Sequence, residues 1–408
     1  MTAANMTNQA AIYKTIWPQT DLVDTFHAQS PLLGLMPKDT SWDGDIRKIV
    51  VEYGGTNGRS ASYAAAYANR NATKVKSMAI ETADNFSLFN CDHKAITLAR
   101  NKKGAVVQII ERQTRGAIYR LRRNTSAMLW GNGGGASGQI DSTTTLASTT
   151  LKLRNPRQVR NFEDGDVLAF STDDGTGGAG TLTGTLTVTG VNYKTAELTL
   201  NANLSTIGGM TTSCYVFIEG DYAAAIKGVP YYVPRTDALV TDTTAWGMNR
   251  SANIQRLGGV RVGGKGLPII IGVKKLLTAL QDAGAETSHI WMGTNKFDEL
   301  DSALGTQKRY CDEKSGGVGF SGISFTSHGK KPVNIYSDAD MDPDLVFGLN
   351  LSTWCFASAG EYPDWLTLDG KRMESEEASN TFAGKIGGYS QVYTEAPGQN
   401  GVLDLTAT

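Results

Sequence analysis

The chain has 408 residues, 40% of them hydrophobic, which is enough for ordinary packed cores in about two to four domains. Its 39 basic and 40 acidic side chains leave a formal charge of −1, so the basic excess of a dedicated nucleic-acid binder is absent. No stretch approaches the roughly 18 consecutive apolar residues of a membrane span, and the first residues carry no basic-then-apolar export signal. Cys91, Cys214, Cys311 and Cys355 form no CxxC pair, which excludes both a disulfide framework and a zinc pattern; the thiols read as reduced and buried.

Residues 1–45 set Pro18, Pro31 and Pro37 among short polar and apolar pieces, the pattern of an extended arm that is ordered only by docking. Residues 46–60 read as a strand running into a Gly/Asn turn, and the chain returns with strand character by residue 95. A hairpin this long has little core of its own, so it should lie on another surface. From 98 to 130 the pattern changes. Val106, Ile110, Ala117, Leu121 and Met128 recur at intervals of four and seven, with no proline between Gly104 and Trp130. One helix of this length would span roughly 40 Å. It is followed by "WGNGGGASGQIDSTTT", Trp130 to Thr145, whose composition predicts a compliant hinge into an inserted unit.

Residues 148–222 alternate in period two between Gly/Asn/Asp turns, with strands predicted at 181–191, 196–200 and 213–218, so a small all-β barrel or sandwich is expected. Pro230 and Pro234 mark a stiffer exit. Beyond 240 the chain is mixed. "LPIII" reads as a strand, "GVKKLLTALQDAG" as an amphipathic helix, and "SHIWMGTNKFDELDSALG" as a strand and second helix; further strands and turns follow to the end.

Candidate chemistry is sparse. "GVRVGGKG", Gly259 to Gly266, fits G-x-x-x-x-G-K but has Gly266 where a phosphate loop needs Ser or Thr for magnesium. Asp338, Asp340, Asp342 and Asp344 alternate as in a calcium loop, yet Pro343 stands at the turn glycine and Leu349 at the closing glutamate, so an acidic proline turn is the better reading. His27, His93, His289 and His328 lack metal or triad spacing, and no GxSxG occurs. Arg112 to Arg123 and Lys330–Lys331 read as salt-bridged or solvated charge. No catalytic, cofactor-binding or metal-ligating residue is assigned, no cofactor is expected, and the chain is read as not an enzyme.

Several stretches together resemble the major capsid proteins of tailed bacteriophages. "QTDLVDTFHAQSPLLGLMP" is similar to their N-terminal arm, and "NFEDGDVLAF…VTGVNYKTAELTL…YVFIEGDY…IKGVPYYVP" to the β insertion of one branch. "AWGMNRSANIQRLGGVRV", "HIWMGTNKFDELDSALGTQKRY", "GFSGISF" and "VNIYSDADMDPDLVFGLNLSTWCFASAGEYPDWL" resemble their axial and peripheral domains in the same order. The resemblance covers most of the chain, and it is the shared order of the motifs that carries it. It implies an α+β Hong Kong 97-type capsid fold. Residues 1–45 would be the N-terminal arm and 46–95 the extended loop that lies over a neighbouring subunit. Residues 96–147 would be the peripheral domain with its spine helix, and 148–222 the inserted β domain. Residues 223–357 would be mainly axial domain, and 358–408 the peripheral domain's C-terminal strands.

The implied function is a structural subunit of an icosahedral virion head, assembled in the host cytoplasm as hexamers and pentamers that enclose double-stranded DNA without gripping it. The partners implied are further copies of itself, a portal, a decoration protein and packaged DNA contacted non-specifically; no membrane is involved. The arm-like sequence begins almost at Met1, so a separate scaffolding protein is expected. Lys74 and Lys76 lie in the extended loop, but nothing identifies a cross-linking partner for them. The readings weighed beside this one are a cellular shell compartment of the same fold, a nucleotide hydrolase using Gly259 to Lys265, and a secreted adhesin built on the β unit.

Overall fold

The computed structural model describes residues 31–92, 94, 103–241, 244–305, 309–315, 318–325, 332–366, 373–375 and 381–407. Residues 1–30 of the expected arm, His27, His93, His328 and the 329–331 patch lie outside these. A short helix, α1 (Pro31–Leu35), and strand β1 (Lys38–Asp39) lead to a hairpin of β2 (Ile46–Gly54) and β3 (Lys74–Glu81). Alternation decides which side of the hairpin is buried: Ile49, Val51, Met78 and Ile80 face the core at its base. The far end carries helix α2 (Tyr63–Ala68), and no residue from 52 to 77 is buried.

Strand β4 (Ala83–Asp92) precedes α3 (Lys103–Leu129), the 27-residue spine read from the sequence. Its fours-and-sevens spacing puts Ala117 and Leu121 on one face, against Phe89 and Cys91 of β4 and against Ile386. The helix tightens at its end, Gly131 N donating to Met128 O at 2.9 Å, and delivers Met128, Leu129 and Trp130 into the central core.

Six strands follow: β5 (Gly138–Gln139), β6 (Thr150–Lys152), β7 (Val167–Ser171), β8 (Leu186–Asn192), β9 (Glu197–Leu200) and β10 (Tyr215–Ile218). They pair in the order β5-β10-β7-β8-β9-β6, and a bridge from Ile140 to Leu153 joins the two ends. The unit is therefore a closed barrel, one of the two architectures expected, and closure removes its sheet edges. Its core, including Phe162, Leu168, Phe170, Leu198 and Val216, shares no residue with the other clusters.

Helices α4 (Val229–Tyr232) and α5 (Asp237–Thr241), the small hairpin β11 (Thr244–Ala245) and β12 (Met248–Asn249), and α6 (Ile254–Gly258) lead into β13 (Val260–Gly263). Then come α7 (Ile269–Asp282), β14 (His289–Gly293), α8 (Thr294–Leu304), β15 (Arg309–Ser315), β16 (Val318–Phe325), β17 (Val333–Asp338) and β18 (Leu345–Leu349). The chain ends through β19 (Trp354–Ser358), β20 (Asp364–Trp365), β21 (Met373–Ser375), β22 (Thr381–Thr394) and β23 (Gly401–Asp404). "LPIII" is a correction to the sequence reading: after Pro268 the isoleucines open α7 and form no strand. Ile269, Val273, Leu276, Leu277 and Leu280 share the buried face, and that helical period outweighs the β preference of a short branched run.

Seven strands form a mixed sheet in the order β13-β23-β18-β14-β17-β16-β15. Helices α7 and α8 cover one face; Trp291, Tyr336, Phe347 and Val402 enter the central core from the other. The second large sheet is built on β22, which pairs with β4 over Thr381–Ser390 and with β19 over Ser390–Thr394. The two sheets, the hairpin base and the end of α3 meet in the central core.

Candidate assembly surfaces and the interdomain cleft

The sequence motifs with enzymatic overtones are absorbed by the scaffold. The Gly259–Gly266 stretch is largely strand β13, paired in parallel with β23. The amides a phosphate would need are already used, Val260 N donating to Asn400 O, Gly264 N to Asp404 O and Lys265 N to Ala407 O. The acidic turn holds itself: Asp340 N donates to Asp338 Oδ1 and Asp344 N to Asp342 Oδ1. Among the described residues no group of His, Cys, Asp and Glu could hold a metal ion. His289 packs beside Trp291 and Tyr336, whose own ring centroids are 5.3 Å apart, with Nδ1 2.7 Å from Ser288 Oγ. Cys91 and Cys214 are buried free thiols, and Cys355 is partly buried. Among the described residues no helix is long and apolar enough to cross a membrane.

The glycine tract after α3 corrects the expectation of a compliant hinge. Gly133 and Gly135 have φ of +88° and +87°, open to glycine at little cost. A Cβ at Gly134 would overlap the carbonyl of Asp174, and one at Gly135 the carbonyl of Asp221. The segment leaving the barrel lies against this tract, Ala223 N donating to Gly134 O at 2.9 Å and Gly228 N to Gly131 O at 3.2 Å. The glycines serve close backbone approach, and the tract itself supplies β5.

Between α3, this tract, the barrel and the 340–342 turn lies a cleft of about 640 Å³. Arg120 pairs with Asp166 and lies 3.4 Å from Glu163, which Arg123 approaches at 3.5 Å. On the other side Asp340 accepts from Ser126 Oγ at 2.7 Å and lies 3.5 Å from Arg160 Nε. Burial pushes the Asp221 carboxyl up to about 6 against the pull of Arg120, with Asp166 adding to the rise. Burial, reinforced by Asp340, pushes Asp338 up to about 7. The seam between barrel and spine is thus polar and contains protonatable carboxyls, while the cores on either side are apolar. Of the arginines from Arg112 to Arg123, the structure turns Arg120 and Arg123 into this seam.

Two exposed surfaces stand out. At the far end of the hairpin, Tyr63 and Tyr67 are 84% and 58% exposed, their rings stacked with centroids 6.2 Å apart, and the Arg70 guanidinium lies 3.6 Å over the Tyr67 ring. On the β4–β22 face opposite α3, Leu88 is 62% exposed beside Phe86 and Tyr389, whose rings meet edge-on at 5.8 Å. The sequence reading places the hairpin on another surface but names neither its tyrosine pair nor the β4–β22 face. The absence of any acid between residues 53 and 80 was the available signal for the first.

No protein-family model matches the chain, and no curated protein is similar to it. Solved structures do match. The capsid protein of cyanophage A-1(L) is 13% identical, with 96% of this chain and 95% of that one covered and a TM-score of 0.55. The capsid of a native GTA particle is 9% identical over 97% and 96% of the two chains, with a TM-score of 0.49. An encapsulin complex from Synechococcus elongatus PCC 7942 is 9% identical over 98% and 95%, with a TM-score of 0.47. The fold assignment rests on the first of these: the chain has the α+β Hong Kong 97-type fold of phage capsid proteins.

Proposed function

We propose that the chain is the major capsid protein of a tailed double-stranded DNA bacteriophage, assembling in many copies as hexamers and pentamers into an icosahedral head around the genome. The observation that carries this reading is the hairpin. Residues 52–77 form ordered structure with no buried residue in their own chain, and an isolated hairpin of this kind is marginal in water. Such an element gains its stability on a neighbour, which couples its ordering to assembly. The formal charge of −1 supports a wall that encloses DNA with little counterion release. The role requires no catalysis. The location is the virion, and the partners during assembly are a scaffolding protein and a portal, with a decoration protein on the finished head.

Size-exclusion chromatography and negative-stain electron microscopy of the purified protein test the reading. Closed polyhedral shells, or a megadalton species resolving into hexamers and pentamers, are expected. A stable 43.7 kDa monomer, unchanged when neighbouring genes are co-expressed, would overturn it. Nuclease-protected DNA inside particles from lysed host cells separates a phage head from a cellular shell compartment carrying protein cargo.

A further inference from the structure

We infer that Asn57, at the far end of the hairpin, is a site of spontaneous deamidation in the free subunit, and that the altered tip is a poorer partner in assembly. The first half rests on the chemistry of this chain alone; the second rests on the assembly reading above. Deamidation of asparagine is an intramolecular substitution. The main-chain nitrogen of the following residue attacks the side-chain carbonyl carbon and a new C–N bond closes a cyclic imide. The C–N bond to the side-chain amide breaks, and ammonia leaves with the proton that the main-chain N–H gave up. Water then opens the imide at either carbonyl, which leaves an aspartyl or an isoaspartyl residue and one new carboxylate. A following glycine favours ring closure, because it has no side chain to obstruct the approach and a freer backbone.

The sequence holds three Asn-Gly pairs, Asn57–Gly58, Asn132–Gly133 and Asn400–Gly401. The fold immobilises two of them. Asn132 Nδ2 donates to Asp174 Oδ2 at 2.6 Å, and Asn132 Oδ1 accepts from Gly134 N at 3.1 Å. Asn400 is fully buried; its Oδ1 accepts from Asn350 N at 2.9 Å and Trp354 Nε1 at 2.8 Å, and its Nδ2 donates to Ala396 O at 3.0 Å. A side chain held at both ends does not swing onto its neighbour's nitrogen. Asn57 is exposed, and neither its side chain nor Gly58 N makes a hydrogen bond among the described residues. Packing keeps the glycine in place beside it: a Cβ at Gly58 would stand 3.1 Å from Ala66 O and 3.3 Å from Arg70 Cα. The same approach sets the reacting amide between Arg59 and Arg70, in a stretch from 53 to 80 that also carries Lys74 and Lys76 and no acid. Neighbouring cations favour the deprotonated nitrogen, which is the nucleophile. Helix α2, six residues with none buried, offers little resistance to the local rearrangement that ring closure needs. The product places a carboxylate, and in the isoaspartyl form an extra main-chain carbon, in a tip whose charge is otherwise all positive, and charge pattern decides which surfaces pair.

The test ages the full chain as free subunits at neutral and at mildly alkaline pH. Peptide mapping by mass spectrometry follows each Asn-Gly pair, and labelling by an isoaspartyl methyltransferase gives a second readout. Asn57 should convert about tenfold or more faster than Asn132 or Asn400, which must wait for local opening of the fold. The rate should rise with pH, and isoaspartyl should exceed aspartyl product. Asn57→Gln, whose longer side chain closes a larger ring far more slowly, should lose the signal at this position and keep the circular dichroism of wild type. Aged wild type should then need a concentration about threefold or more higher to assemble than fresh wild type, the scale of one exposed charge. Aged Asn57→Gln should assemble as it does fresh, and fresh Asn57→Asp should reproduce the charge part of the defect. Conversion at Asn57 no faster than at Asn132 and Asn400 overturns the inference, and so does full conversion that leaves assembly unchanged. A fresh wild-type chain that forms no oligomer, while Asn57 still converts, overturns the capsid reading and the assembly half together and leaves the modification site standing.

Discussion

Replacing Gly135 with alanine decides whether the tract after the spine helix is a slack linker or a fitted joint, because the two give opposite signs. Gly135 has φ +87°, and an added Cβ would overlap the carbonyl of Asp221, which also accepts a hydrogen bond from Ala224 N at 3.2 Å. A left-handed backbone costs an alanine about 1–2 kcal/mol. Forcing a methyl against backbone that cannot rotate away adds about 1–3 kcal/mol. Together the expected loss is about 2–5 kcal/mol, or a fall of about 2–6 °C in the calorimetric midpoint for a chain of this size. Gly208→Ala is the control: Gly208 is also in the barrel, but no atom lies within 4 Å of its Cβ position and its φ is not positive. There the reduced freedom of the unfolded chain should be neutral or stabilising by about 0.4–1 kcal/mol. A Gly135→Ala protein melting at or above wild type would refute the packing argument and restore the hinge.

Stability should also fall as pH rises from about 4 to about 7. Asp338 is held at about 7 in the fold, against an ordinary value of 3.8. Between those two pH values the folded chain keeps a proton that the unfolded chain has released, so this contribution is complete below about pH 4 and gone above about pH 7. Asp338→Asn should flatten that slope, its stabilisation at pH 8 exceeding that at pH 5 by about 2–3 kcal/mol. Asp221, at about 6, leaves a smaller slope of the same sign. Parallel wild-type and variant profiles in urea titrations across pH 4–8 would count against the assignment. Leu121→Ala should cost about 2–5 kcal/mol in urea unfolding, because Leu121 is 1% exposed against Phe89, Cys91 and Ile386. Tyr362→Phe should cost about 1–2 kcal/mol in the same assay, since its hydroxyl lies 2.8 Å from Thr125 Oγ1 and accepts from Asn85 Nδ2 at 3.1 Å. A loss below 0.5 kcal/mol would mean that Asn85 finds another acceptor.

What was legible in the sequence is what local periodicity encodes. The spine helix announces itself because Ala117, Leu121 and Met128 repeat on one face with no proline to interrupt them. The barrel announces itself through strands cut to length by Gly/Asn turns. The glycine tract misled because flexibility and close packing call for the same residue; only the carbonyls of Asp174 and Asp221, brought in from far along the chain, distinguish them. Ile269–Ile271 misled because a short branched run fits either period, and the deciding Val273, Leu276 and Leu280 lie downstream. The cleft was not legible at all. Its residues come from positions 84 to 342 and become neighbours only when spine, barrel and turn converge.

The separation of cores makes one further outcome predictable. The barrel has its own apolar cluster and a closed sheet, and the cleft side of its attachment to α3 is ion pairs. Polar seams of this kind resemble transient interfaces more than shared cores. The chain also enters and leaves side by side, as the Ala223–Gly134 and Gly228–Gly131 hydrogen bonds record. Excising 136–221 and joining the ends by a short glycine joint should therefore leave both large sheets and α3 folded. Arg120 and Arg123, freed from Asp166 and Glu163, would simply become solvated. Excising 148–222 instead should fail, because it keeps β5 but removes β10, the strand it pairs with. Hydrogen exchange is the discriminating measurement. Protection retained in β22 and β18 with the first excision and lost with the second would establish the barrel as an autonomous insertion. Loss in both would mean that the central core depends on the barrel through contacts other than the polar seam.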